Sequence, residues 1–290
     1  MLFNVMRKIM LVSGLFFVFA TTLAQAEVWT NYNIMTFNIR YDNPEDGLNN
    51  WKFRKKNVVN LIRFQEVDVL GLQEVLSNQL REMSGQLQEY AVIGVGREDG
   101  KEKGEYSPIL YKKNKFTLIK SGYFWLSETP EKPSKGWDAA CERIATWAQF
   151  KVKETGEKFF VLNTHFDHIG TIAREESVKL IQKKSAELSQ GLPQIVMGDF
   201  NAVPESSVVQ GIVNPTKDSK LFDSKKLASL VYGPDWSFHE FGKIPFAERP
   251  LIDYVFISEN IKVLKYAVLA ETLNKCFLSD HAPVLVKVSL

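Results

Sequence analysis

The sequence predicts an α/β fold of two mixed β-sheets packed face to face, with helices on both outer faces. Three observations predict it. Short apolar runs of strand length recur along the chain, bounded by turn residues. Some follow one another directly and call for antiparallel pairing. Others are separated by stretches with helical spacing and call for parallel pairing, so neither sheet type alone accounts for the order. Several of the runs also end in short polar side chains.

The elements follow in order. Residues 33–38 read as a strand, and 52–64 as a helix with Phe53, Val58, Leu61 and Ile62 at helical spacing. A strand at 67–72, a helix at 76–87 and strands at 91–95, 107–111 and 116–126 come next. Strands at 144–152 and 158–163 flank Thr155-Gly156, a hairpin signal. Residues 175–188 form a long helix with Val178, Ile181 and Leu188 on its apolar side. A strand at 193–197, a short helix at 205–213 and strands at 251–257, 263–269 and 284–288 close the domain. There is no internal repeat. The charged stretch 97–105 and the Pro130/Pro133 segment read as loops.

Residues 1–26 carry Arg7 and Lys8, an apolar run over 9–20, and Ala24-Gln25-Ala26. That order is a secretory signal peptide, and the run is too short to span a membrane. Residues 27–290 are then one exported domain, periplasmic or extracellular, with no membrane span and expected as a monomer. Without Arg7 and Lys8, basic and acidic residues are equal in number at 34. A neutral chain does not favour tight binding to long nucleic acid. Cys141 and Cys276 are the two cysteines. In an exported chain they form one disulfide or remain two buried thiols.

The polar residues at strand ends carry the chemistry. Asn38 ends the first strand and Glu74 follows Leu70-Gly71-Leu72-Gln73. His165 ends Val161-Leu162-Asn163-Thr164, and Asp199 and Asn201 end the run from Ile195. Asp253 sits inside Leu251-Ile252-Asp253-Tyr254-Val255-Phe256, and Asp280-His281 precede the last strand. A carboxylate inside an apolar strand is costly unless paired or metal-bound, and His281 is its natural partner. His165 and His281 are the histidines expected to act. His239, in an aromatic-rich segment, is an even case between substrate contact and structure, and His168 reads as non-essential. The oxygen-rich set Glu74, Asn38 and Asp280, with Asp199, suits Mg2+ or Mn2+. Zinc-type Cys/His clustering is absent. Phosphate-ester cleavage is the natural chemistry of such a site.

Six segments then carry a resemblance. Thr36-Phe37-Asn38-Ile39-Arg40, Gly71-Leu72-Gln73-Glu74-Val75, Asn163-Thr164-His165, Gly198-Asp199-Phe200-Asn201, Ile252-Asp253-Tyr254 and Ser279-Asp280-His281 occur in one order across the chain. The ordered set resembles the endonuclease/exonuclease/phosphatase superfamily, which includes deoxyribonucleases, neutral sphingomyelinases and deadenylases. The resemblance implies a four-layer α/β/β/α sandwich and divalent-metal-dependent hydrolysis of a phosphate mono- or diester. It implies Glu74 as principal metal ligand with Asn38 and Asp280 close by. Asp199 would activate the attacking water and Asn201 hold it. His165 and His281 would donate to phosphate oxygens, with Asp253 behind His281. Glu105 resembles an acid that supports His165, and Arg143 a phosphate-contacting arginine; both also read as members of surface ion pairs. Arg40 stands where abasic-site enzymes carry an Asp, which argues against that branch.

Within this reading, small phosphomonoesters such as sugar phosphates rank ahead of nucleic acid and of phospholipid head groups. A non-catalytic binding protein that keeps the fold is the reading from a different class. It would call for the loss of one or more chemical groups, and none of the core set is missing.

Overall fold

Hydrogen-bond register sorts the strands into two large sheets in the computed structural model, which describes residues 30–215, 220–273 and 276–290. One sheet runs in the order β10 (Val231–Tyr232), β12 (Lys262–Val268), β15 (Val284–Ser289), β1 (Asn31–Asn38), β2 (Val69–Gln73), β4 (Ile109–Lys112), β3 (Tyr90–Ile93). The other runs β5 (Phe116–Trp125), β6 (Ile144–Val152), β7 (Lys158–His165), β8 (Gln194–Asp199), β11 (Asp253–Ser258), β9 (Leu221–Asp223). Both are mixed. The parallel pairs β1–β2 and β7–β8 are each joined through a helix, α1 (Trp51–Phe64) and α3 (Thr171–Ser189).

Strand alternation explains the four layers. Ile34, Val69, Val161, Ile195, Val255 and Val286 belong to one buried cluster that joins the two sheets. Their chain neighbours point the other way. Met35, Leu70 and Leu72 pack with Val58 and Ile62 of α1 and Met83 of α2 (Ser77–Gln86). Leu162, Val196 and Phe256 pack with Ile181 of α3 and Val208 of α4 (Ser207–Val213). Central strands buried on both faces read as unbroken apolar runs, which is why the sequence displayed them.

Helix starts depend on caps. Asn50 caps α1, its side chain accepting from Lys52 N. Phe53, expected on the apolar side of that helix, is 48% exposed, and Trp51 is buried in its stead. α3 begins four residues before the expected position because Asp138, from a distant loop, accepts from Ala173 N at 2.6 Å. The 3-10 turn Pro44–Asn49, β9, α5 (Ser224–Leu227) and β10 are too short to show periodicity, and none was expected. The disulfide does not form, as both thiols are free. Cys141 lies beside Asp167, whereas Cys276 is in β14 (Cys276–Phe277), paired with Leu273 of β13 (Thr272–Leu273). Among the described residues no helix is long and apolar enough to cross a membrane, and residues 1–26 lie outside the described residues.

One buried cation braces the end of the fold that carries the polar residues. Arg54 of α1 has no exposed surface; its Nη1 donates to Ile39 O at 2.7 Å and Leu278 O at 2.8 Å. Its Nη2 reaches Arg40 O at 3.2 Å, and its Nε donates to Asn49 O. It therefore ties the end of β1 to the segment entering Asp280. Arg54→Met strands several buried carbonyls and is expected to cost about 3 kcal/mol or more. Urea denaturation reads this as a lower midpoint at unchanged slope, and a loss under about 1 kcal/mol would contradict the bracing role.

Candidate active site

Register brings the polar strand ends abreast. His165 pairs with Asp199 across β7–β8, and Asp253 with Asp199 across β11–β8. Asn38 pairs with Gln73 across β1–β2, so Glu74 leaves the sheet beside it. Three non-glycine residues at these ends have left-handed backbone, Arg40 at φ 57°, Glu74 at φ 59° and Asn201 at φ 46°. All three line one cleft of about 410 Å3. Backbone strain of this kind concentrates where the chain must turn a side chain into a site. Under the cleft floor a polar tie joins the sheets. Gln73 donates to Asn163 Oδ1 at 2.6 Å, and Asn163 donates to Leu72 O and Pro108 O.

The first wall is an aspartate–histidine array. Asp253 accepts from His281 Nδ1 at 2.8 Å and from Ser237 Oγ at 2.6 Å. The far nitrogen of His281 faces Asp199 at 3.7 Å. Burial opposes the charge on His281, but Asp253 and Asp199 prevail and raise its pKa to about 10. It is an imidazolium at neutral pH. Asp199 is pushed up to about 7 by burial and then by the charge of Asp253. Its oxygens accept from Asn38 Nδ2 at 3.0 Å and Asn201 N at 2.9 Å, and His165 Nε2 lies 3.4 Å away. Asn201 donates to His165 Nε2 at 3.1 Å, which leaves the proton of the neutral ring on Nδ1. Burial and the nearby arginines hold His165 well below its ordinary pKa, so the two histidines carry opposite protonation states.

The second wall is acidic. Glu74 accepts from Asn38 Nδ2 at 3.0 Å and from Tyr41 N at 3.2 Å. Arg40 sits 3.8 Å from both Glu74 and Asp280, held by Asp46 at 3.1 and 3.2 Å. Burial raises the Asp280 pKa and the charge of Glu74 pushes the same way, against His281 and Arg40. One guanidinium thus faces three carboxylates. An all-oxygen, under-compensated pair such as Glu74 and Asp280 fits a hard divalent cation. Asn38 stands between the carboxylates. Its amide nitrogen bridges Glu74 and Asp199, and its Oδ1 accepts from Arg40 N at 3.0 Å, so it orients both carboxylates. Asp199, Asp253 and His281 also lie close enough for a shared ion, but the imidazolium already occupies their centre. Cys141, Asp167 and His168 form another such group, and there Arg143 supplies the positive charge.

The third wall carries the two residues the sequence left between site and surface. Arg97 grips Glu105 through two bonds of 2.7 and 2.9 Å. Glu105 therefore reaches His165 Nδ1 only at 4.0 Å, without a hydrogen bond. Arg143 is 4% exposed, donates to Asp167 at 3.3 Å and to His168 Nδ1 at 2.9 Å, and has a buried Nη1 with no partner. Both Glu105 and Arg143 line the cleft. His239 does not. It lies in a neighbouring hollow, where its Nδ1 accepts from Gly242 N at 3.1 Å, while Phe238 turns to the cleft instead. The cleft-lining residues outside the expected set are Arg40, Tyr41, Arg97, Cys141, His168, Phe238 and Ile252. Arg40 sits within a quoted motif, so a signal was present.

Asp167 organises this wall. Burial opposes its charge, yet N–H groups of Gly170, Ile169 and Ala140, with Arg143, hold its carboxyl well below the usual range. A depressed carboxylate stabilises above its unfolded pKa of about 3.9, and that contribution is lost as pH falls through the folded value. Asp167→Asn is expected to cost about 2–4 kcal/mol at pH 7. The gap from wild type narrows below about pH 4. Urea unfolding at pH 7 and pH 3 checks this, and an equal gap at both would refute it.

Comparison with known proteins follows this geometry. A family profile described as the Endonuclease/Exonuclease/phosphatase family matches residues 35–281. The chain is 44% identical to an endonuclease/exonuclease/phosphatase from Bacteroides vulgatus, with a TM-score of 0.87 over 90% of this chain and 99% of that one. It is 37% identical to a mannosyl-6-phosphatase of Bacteroides thetaiotaomicron, with a TM-score of 0.84 over 89% of this chain and 100% of that one. A protein of Acanthamoeba polyphaga mimivirus described as uncharacterized is 27% identical over 252 residues, 81% of this chain and 91% of its own length.

Proposed function

Because the chain belongs to the endonuclease/exonuclease/phosphatase family, whose members hydrolyse phosphoester bonds, we propose that it is a divalent-metal-dependent phosphatase acting on sugar phosphate monoesters. The observation that carries the catalytic part is the facing of Asp199, His165 and a charged His281 toward Glu74 and Asp280 in one cleft. The sugar-phosphate part rests on the similarity to the mannosyl-6-phosphatase, which covers that protein's whole length.

Glu74 and Asp280 would hold Mg2+ or Mn2+, which when bound polarises a phosphate oxygen and offsets its charge. Asp199 takes a proton from water, helped by a pKa near the working pH. The water oxygen forms its bond to phosphorus in line with the breaking bond to the sugar oxygen. The sugar leaves as an alkoxide and takes a proton from solvent, giving alcohol and inorganic phosphate, and Asp199 returns its own proton to solvent. His281, oriented by Asp253, donates from Nε2 to a phosphate oxygen whose charge grows in the transition state. Asn201 keeps the proton of His165 on Nδ1, and Arg143 supplies fixed positive charge.

Residues 1–26 would direct export and be removed, leaving 27–290 as a monomeric catalytic domain. The basic–apolar–Ala24-Gln25-Ala26 order supports this, and N-terminal sequencing of the exported protein tests it. The function is tested by comparing phosphate release from hexose 6-phosphates and p-nitrophenyl phosphate with hydrolysis of bis-p-nitrophenyl phosphate. Monoester preference is expected. Diester preference would point to a nuclease or phospholipid-directed enzyme of the same fold. No turnover on a broad panel would favour a binding protein.

A further inference from the structure

Beside the catalytic cleft lies a second hollow of about 460 Å3, within the roughly 300–1,000 Å3 of small-molecule sites. One short segment separates the two. Phe238 bridges to the backbone of His281 and packs its ring 4.8 Å from the imidazole, facing the cleft. The flanking Trp236 and His239 line the second hollow, and His239 N donates to Asp280 O at 3.0 Å. The hollow therefore borders the phosphate site across a single chain segment.

The lining indicates what that part is. Phe246, 69% exposed, stands perpendicular to Trp236 at 5.7 Å. Phe277 stacks on His239 at 4.8 Å, so much of the wall is aromatic. Polar donors stand among the rings. Trp236 is 8% exposed, yet its indole N–H is buried without a partner. His239 spends Nδ1 on Gly242 N, which leaves Nε2 as its donor. One cation, Arg249, lies over the Trp236 ring at 4.6 Å, and one carboxylate, Glu271, completes the lining. Among the described residues these two charges offset each other, which disfavours a second phosphate or an ammonium group. Apolar faces with fixed neutral donors fit the ring of an uncharged sugar.

Resting on the sugar-phosphate reading above, we infer that this hollow is a subsite for a second, unphosphorylated sugar, so that the preferred substrate is a phosphorylated oligosaccharide rather than a free hexose phosphate. The test uses the chain with Mg2+ and two readouts. Unphosphorylated mannobiose is titrated and followed by saturation-transfer NMR and tryptophan fluorescence. Turnover is compared on mannose 6-phosphate and on mannobiose carrying a 6-phosphate on its non-reducing unit. Wild type is expected to show saturation transfer, and Phe246→Ala, a change at an exposed ring, to lose it. The variant's kcat/KM should fall about tenfold further on the disaccharide ester than on the monosaccharide ester, mainly through KM. Trp236→Phe, which keeps a ring and removes the unpartnered N–H, should move in the same direction. No mannobiose signal in wild type, or equal losses on both esters, overturns the subsite. Mannobiose binding without turnover of either ester supports the subsite and overturns the phosphatase reading instead.

Discussion

Asp199→Asn is expected to lower kcat by about 10³–10⁴ while leaving the protein about as stable as wild type. The rate loss follows from removing the base that faces both histidines, 3.4 Å from His165 and 3.7 Å from His281. The stability effect follows from linkage. A carboxyl whose pKa rises to about 7 in the fold is destabilising at pH 7, because the unfolded chain ionises it freely at about 3.9. Burial and the charge of Asp253 impose that cost, and the amide relieves it while keeping the shape. The same carboxylate supports the His281 charge and accepts from Asn38 and Asn201, so the net change at pH 7 is expected to stay within about 2 kcal/mol. Phosphate-release kinetics and urea unfolding of the same preparation measure both effects. A variant keeping more than about a tenth of the activity, or losing more than about 2 kcal/mol, would contradict the role given to Asp199.

The second large effect belongs to Glu74. Glu74→Ala should abolish metal-dependent turnover, a loss of about 10³ or more, because the remaining carboxylate Asp280 cannot hold a hard divalent cation alone. The fold should survive, since Glu74 is a partly exposed cleft residue whose partners are the Asn38 amide, Tyr41 N and Arg40. A binding readout separates this from damage to catalysis alone. Mg2+ should raise the melting temperature of wild type and leave the variant unchanged. Near wild-type turnover at limiting Mg2+ would show that the metal site lies elsewhere.

Much of this was legible because central strands are buried on both faces. Ile195-Val196-Met197 and Val161-Leu162 read as unbroken apolar runs, and polar side chains at their ends had to lie at the rim of a sheet. The pairing of Asp253 with His281 was legible because an isolated carboxylate in such a strand needs a partner. What escaped depends on register between distant segments. Arg40 and Arg97 look like ordinary surface cations until β1 and the loop before β4 meet across the cleft. The early start of α3 depends on Asp138, more than thirty residues away, which no local window contains. The two bonds that Asn38 donates, to Glu74 and Asp199, likewise join segments that no local window holds together. That His239 and Phe238 face different hollows was not legible either, because the irregular backbone after Phe238 sets the direction of each ring.

In the proposed mechanism Glu74 and Asp280 would hold a metal that serves phosphate-ester hydrolysis by Asp199. This is tested most directly by stripping the purified protein with a chelator and following phosphate release from mannose 6-phosphate as Mg2+ is restored. No turnover is expected in the stripped protein, full recovery with saturating Mg2+, and no recovery in Glu74→Ala. Equal turnover with and without metal, or full recovery by Glu74→Ala, would contradict it.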